Sequence, residues 1–257
     1  MERCRPKARV GELGQRYKGY GTAPQAHRLA DMSESGANAT PQIASELTGV
    51  RLGMVVASGV SVGPATAELE REIAHLCERL RSEISLEQLA GRESVQAVRA
   101  MFRGWGVDPT HSRPSGEQLL RRVLQGKGLY RVSNVVDLNN LGSCETGWPW
   151  GSFDVDRLQP PLVFRQGRPG ESYVAIGKEM WPVEGKPVLC DEEGPFGGPI
   201  RDSQRTMVTP ATRTIVTVIF APFGTSPESI DRAAQRHAGR LLQFAGAAAT
   251  HPGVTRA

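Results

Sequence analysis

The stretch Asn134-Val-Val-Asp137-Leu-Asn139-Asn140, continued by Cys144-Glu-Thr-Gly147-Trp148-Pro149-Trp150-Gly151 and closed by Ser152-Phe-Asp-Val-Asp156, decides how the rest of the chain is read. It packs amides, carboxylates, glycines and two tryptophans together with little hydrophobic periodicity. A core element can be built from simpler residues, so the segment is expected to serve recognition or catalysis. Asn134, Asp137, Asn139 and Asn140 could fix an α-amino group or a ribose hydroxyl. They could equally tie down neighbouring backbone, which is what buried Asn and Asp usually do. Trp148 and Trp150 flank Pro149, either as stacking faces for a base or as hydrophobic lids over a core.

Upstream of this stretch the pattern is helical. Leu52 to Ala57 reads as a short buried strand between glycines. From Ala65 to Glu83, Leu69, Ile73, Leu76 and Leu80 recur at helical spacing, with Glu70, Arg71, Glu78 and Arg79 on the other face. A second helix is expected over Ser94 to Arg103. A third starts at Ser115, where Ser115 and Gln118 form a capping-box signature, and ends at Gly126. Arg121 and Arg122 lie off the apolar stripe of that third helix. With Arg103 and Arg113 they could make a phosphate-facing patch, or stand as ordinary solvated arginines.

Downstream, the pattern turns to strands. Leu162–Phe164, Tyr173–Ile176, Pro187–Leu189 and Thr206–Val208 are short and separated by Gly, Pro and acidic residues, as in a meandering sheet. Thr214 to Phe220 is β-branched nearly throughout, as in a strand buried on both faces. Ser226-Pro227 opens a last helix, with His237 on its apolar side as a structural histidine. The tail from 247 to 257 is expected to be flexible.

The whole chain has 257 residues, 39% of them hydrophobic and 23% charged, which suits one globular α/β domain. No apolar run is long enough to span a bilayer, and no secretory h-region is present, so neither a membrane partner nor export is expected. Cys4, Cys77, Cys144 and Cys190 are far apart, without zinc spacing, which points to no metal and a reduced cytoplasmic setting. The net charge of +4 is concentrated in residues 1–42, where Arg3, Arg5, Lys7, Arg9, Arg16, Lys18 and Arg28 crowd a leader rich in Gly, Pro and Gln. That leader is expected to be disordered, and Met32 offers an alternative start. The domain is expected over residues 43–246.

The Asn134 to Asp156 stretch resembles the B3/B4 domain of the phenylalanyl-tRNA synthetase beta subunit, which runs roughly Asn-Asn-Val-Val-Asp-Val-Thr-Asn, a spacer, then Gly-Gln-Pro-Met-His-Ala-Phe-Asp. The likeness extends from about Val50 to Pro222. It takes in the Arg113-Pro-Ser-Gly-Glu-Gln-Leu-Leu helix entry, Gly170-Glu171 and Phe196-Gly197-Gly198. The resemblance implies a single three-layer α/β domain with a mostly antiparallel sheet sandwich and flanking helices. It also implies an aminoacyl-tRNA ester as ligand, hydrolysed in trans as an editing step, with tRNA or aminoacyl-tRNA and a synthetase or other translation protein as partners and no cofactor. The alternative is a non-catalytic module that binds tRNA or an amino-acid-like ligand. No ATP-binding loop or synthetase active site is recognisable, so tRNA charging is not expected.

Editing of this kind needs no nucleophilic triad. The ester is already activated, so a positioned water and donors for the developing oxyanion suffice. Two positions depart from the family pattern: Gly151 stands where the family has His, and Pro199 where it has an acid after Gly-Gly. Asp202 and Ser203 are the candidates to replace the lost groups. Asp202 would orient a water, Arg205 would bind a phosphate or carboxylate, and Gly197-Gly198 would bring a backbone N–H to an ester oxygen. The competing reading is that Asp202 and Ser203 only shape a turn and Arg205 pairs with Asp202.

Overall fold

The computed structural model describes residues 42–254, so the expectations for the leader fall outside the described residues. Its central layer is a four-stranded antiparallel sheet in the order β10-β2-β9-β3. Here β2 is Val50–Ser58, β3 Trp150–Asp154, β9 Thr214–Pro222 and β10 Ala249–Val254. The β-branched run of β9 is buried on both faces, as its sequence demands, and pairs with β2 from Val50↔Pro222 to Ser58↔Thr214. Residues 249–254 are therefore not a flexible tail. Their backbone satisfies the outer edge of β2, which would otherwise present unpaired N–H and C=O groups.

On one face of this sheet lie α1 (Ala67–Glu83), α3 (Ser115–Leu124), α4 (Asn134–Thr146) and α5 (Pro227–Ala245). Leu69, Ile73, Leu120, Leu138, Leu141, Trp150, Ile219 and Leu241 form the core between them and the strands. On the other face a second sheet, in the order β1-β4-β7-β8, packs against the first. Its strands are β1 (Ile43–Ser45), β4 (Leu162–Gln166), β7 (Pro187–Asp191) and β8 (Gly194–Gly197). Phe153, Phe164, Leu189, Phe196, Val216 and Phe220 fill the gap, with Phe102 and Trp105 from the α2 region (Glu93–Gly104). The β1–β4 pair is parallel and the other strand pairings of these sheets are antiparallel. A separate hairpin, β5 (Ser172–Val174) and β6 (Met180–Pro182), carries its own small core of Tyr173, Ala175 and Val183. The domain is thus three layers deep (helices, sheet, sheet), a mixed α/β fold whose sheets are mostly antiparallel.

Helix α5 follows its sequence signals closely. Ser226 accepts from Ser229 N–H as N-cap, Pro227 opens the first turn, and Gly246 ends the helix in the left-handed region. Arg240 of α5 reaches Glu72 of α1 and Glu145 of α4 at 2.8 Å each, tying three helices together. Elsewhere local signals mislead. Ser115 forms no capping box, because Pro114 occupies the cap, Ser115 N–H donates to the Pro199 carbonyl, and Gln118 turns back to the Arg113 carbonyl. Thr206–Val208 is not a strand, and Met207 makes only an isolated bridge to Phe153.

Candidate functional site

The Asn134 to Asp156 stretch contains a helix that periodicity does not announce. Ser133 caps α4 by accepting from Val136 N–H, and Gly147 closes it at φ +76°. Gly142 lets α4 lie against the sheet: a Cβ there would stand 2.6 Å from the Trp150 ring. The amides and carboxylates of α4 are structural. Asn134 donates to the carbonyls of Ser61 and Phe244 and accepts from Gly63 N–H, joining three distant segments. Asp137 accepts from Val132 N–H, and burial raises its carboxyl above the usual range. Asn139 accepts from Ser152, whose hydroxyl also meets Thr217, which in turn lies 3.1 Å from His237 Nε2. Burial, with Arg240 nearby, lowers His237 to a pKa of about 3, so the ring is neutral and structural. Asn140 is half-buried and has no hydrogen-bond partner among the described residues. Trp150 is buried edge-on to His237, and half-buried Trp148 packs against both cores. Trp150 therefore offers no face to a base.

The other half of the expected site lies across the sheet. Ser152 of β3 faces the helices, whereas Gly151 and Phe153 face the second sheet. Opposite them comes the segment after β8, Gly198 to Arg205. Asp202 Oδ1 accepts from Gly198 N–H at 3.2 Å, and no partner is found for Oδ2 among the described residues, although that atom is not fully enclosed. Asp202 is half-buried as a residue, but protein atoms surround its carboxyl. This desolvation outweighs the Gly198 hydrogen bond and pushes the pKa up to about 7. An acid in that range exchanges protons readily at neutral pH.

The space around this carboxyl explains both departures from the family pattern. A Cβ on Gly151 would stand 2.7 Å from the Phe153 ring and 3.4 Å from Asp202 Oδ1. Phe153 is fully buried, stacked edge-on against Phe196 with centroids 5.1 Å apart, so its ring fills the room a histidine at 151 would need. Gly197 meets the same ring, and its Cβ would fall 2.8 Å from Asp202 Oδ1. Gly197→Ala is expected to destabilise the protein by roughly 1–3 kcal/mol through overpacking, measurable by urea unfolding. Pro199 turns its carbonyl to α3 instead of a side chain to the site.

The structure corrects three of the sequence expectations. Arg205 does not pair with Asp202: both its terminal nitrogens bind Asp191, at 2.8 and 2.9 Å, and one also reaches the Arg157 carbonyl. That fork leaves it engaged inside the protein, not open to a phosphate or carboxylate. Ser203 is buried, with its hydroxyl 3.2 Å from Thr206, and is no accessible nucleophile. Gly198 N–H is spent on Asp202 and is not free for an ester oxygen. Sequence reasoning missed Phe153 as the lid over the glycines. Its alternation with Gly151 along β3 was the available signal.

The four arginines do not act as one cluster. Arg113 sits 3.5 Å from buried Glu117, which Arg99 holds in a bidentate fork. Arg122 stacks over exposed Tyr130 at 3.9 Å, and Arg103 is exposed at the end of α2. Arg121 is half-buried in the last turn of α3.

A family model described as the B3/4 domain matches residues 97–241, more than half of the chain. The chain belongs to the B3/4 domain family. The phenylalanine–tRNA ligase beta subunit of Chromobacterium violaceum is 27% identical over 190 residues, covering 71% of this chain and 23% of that protein. That of Leifsonia xyli subsp. xyli is 32% identical over 133 residues, covering 51% of this chain and 15% of the relative. This B3/4 chain thus spans about a quarter or less of the length of these relatives. A solved N-terminal fragment of the phenylalanyl-tRNA synthetase beta subunit from Pyrococcus horikoshii aligns over 86% of this chain and 57% of that one. The identity is 14% and the TM-score 0.42. Among the described residues no helix is long and apolar enough to cross a membrane.

Proposed function

We propose that this B3/4 protein binds the aminoacyl end of a tRNA and hydrolyses mischarged esters in trans, with Asp202 as the group that activates the attacking water. The observation that carries this reading is the Asp202 carboxyl, desolvated to a pKa of about 7 with one oxygen free of protein partners. At neutral pH a substantial fraction is ionised and can take a proton from water, and the resulting acid can return it to the leaving ribose oxygen. Similarity to phenylalanine–tRNA ligase beta subunits supports tRNA as the partner class, with the translation machinery of the cytoplasm as the setting.

A second reading, a binding module without hydrolysis, draws support from the commitment of Gly198 N–H and the burial of Ser203, which leave no identified oxyanion donor at Asp202. A deacylation screen over tRNAs mischarged with each amino acid separates the two. Turnover supports the hydrolase, and binding without turnover supports the module. In either case Arg103, Arg121 and Arg122 are the proposed phosphate contacts, with Arg113 restrained by Glu117. Replacing Arg121 and Arg122 together by Ala is expected to flatten the slope of log affinity against log salt by roughly one to two. An unchanged slope would assign these arginines to the solvated surface.

A further inference from the structure

The β5–β6 hairpin carries exposed aliphatic surface beside the Asp202 carboxyl. Val174, Ile176 and Met180 are 39%, 57% and 61% exposed, among the most exposed large apolar residues described. Val174 pairs with Met180 across the hairpin, so their side chains share a face, and Ile176 follows two residues on at the turn. Tyr173 and Ala175 alternate with them and point into the small core. This outer face therefore contributes nothing to the packing of the hairpin.

Its position relative to the reactive carboxyl is fixed by backbone pairing. Ala175 forms an antiparallel bridge with Ser203. Ile176 N–H donates to the Asp202 carbonyl at 2.9 Å, and Gln204 N–H donates to the Val174 carbonyl at 2.8 Å. Ser203 and Ala175 are both buried, so alternation sets Asp202 on the same side as Ile176, and Gln204 on the same side as Val174. The border of this apolar surface is charged: Arg201 pairs with Glu179 at 2.6 Å and stacks on Trp181 at 4.2 Å. An ester carbonyl held at Asp202 would carry its acyl side chain within reach of Ile176 and its neighbours.

We propose that Val174, Ile176 and Met180 form the wall against which the acyl side chain of the ester packs, selecting aliphatic over hydroxyl-bearing or charged acyl groups. The proposal rests on the aminoacyl-ester reading above and adds the substrate class. An aliphatic side chain gains by removing both surfaces from water, whereas a charged one would lose hydration against a wall that returns no hydrogen bond. Because these residues are exposed, replacing them removes no core contact, and the fold should survive.

The test uses the full chain, as wild type, Ile176→Ser, Met180→Ser and the double variant. Deacylation of leucyl- and isoleucyl-tRNA is compared with that of seryl-tRNA. The expected result is a wild-type preference for the aliphatic esters that falls by roughly 10-fold or more in the double variant, mainly through KM. An unchanged ratio would overturn the proposal. A second readout does not depend on turnover: methyl NMR of the wild type during titration with 3′-leucylamido-3′-deoxyadenosine, a stable amide analogue. Shifts of the Ile176 δ1 and Met180 ε methyls, larger than with the seryl analogue, support the wall. If no ester is hydrolysed yet these methyls shift, the hydrolase reading fails and the wall stands. If esters are hydrolysed and the methyls stay still, the wall fails and the hydrolase reading stands. Neither hydrolysis nor shifts would overturn both.

Discussion

Replacing Asp202 by Asn is expected to cut deacylation of the preferred ester by roughly 10²–10⁴, the loss typical of a removed general base, while raising the melting temperature at neutral pH. Both effects come from one cause. Burial lifts the folded-state pKa from an ordinary 3.8 to about 7, so between those values the folded protein holds a proton that the unfolded chain has released. Stability is therefore fully present below the unfolded pKa and declines as pH rises toward 7, levelling off above it. With Asp202 half-buried, a shift of this size gives an upper bound of roughly 4 kcal/mol. Asn carries no charge to desolvate and can still accept from Gly198 N–H, so the variant should lose this pH dependence. Activity runs the other way, because the base must be ionised, and the wild-type rate should climb through pH about 7. Thermal melts from pH 4 to 9, set beside pH–rate profiles, check both. A variant that melts lower at neutral pH and loses activity only in step with stability would make Asp202 a structural residue.

What the sequence revealed depended on whether the information was local. Helices α1 and α5 and strand β9 have one apolar face or an unbroken β-branched run, and such periodicity survives whatever packs against it. Helix α4 has neither. Its Asn134, Asp137 and Asn139 satisfy backbone or hydroxyl groups elsewhere in the fold, so its polar residues are buried and the usual contrast between faces vanishes. The alternative in which these amides tie down backbone is the one the contacts favour. Asp202 was legible as a chemical candidate by its place after Gly197-Gly198, but its environment was not. The desolvation depends on tertiary packing, and Arg205, the obvious local partner, is drawn to Asp191 across the β7–β8 turn. The sequence also could not reveal that the central sheet separates the α4 amides from Asp202. Residues close together in the chain's most unusual stretch therefore belong to different layers.

Phe153→Ala should produce the largest loss of stability, roughly 3–5 kcal/mol, because the ring is fully buried between the sheets and stacked on Phe196. For a domain of this size that is a fall on the order of 10 °C in melting temperature. The consequence for the site is separate. Removing the ring uncovers Gly151 and Gly197 beside the Asp202 carboxyl. Water entering there would restore solvation of the charged form, so the Asp202 pKa should drop toward its ordinary value and the rise of rate with pH should begin lower. Phe153→Leu keeps most of the volume and should move the profile less. If the profile of Phe153→Ala stays where it is while stability falls, the ring is not what dries the carboxyl. The same cavity supplies a stricter test of why the family histidine is absent. Gly151→His should be severely destabilising in the wild type, where its Cβ would meet the Phe153 ring at 2.7 Å, and much better tolerated in the Phe153→Ala background. A double-mutant cycle on unfolding free energy should therefore show a favourable interaction between the two changes. Additivity would mean that Phe153 and a histidine at 151 do not compete for the same space.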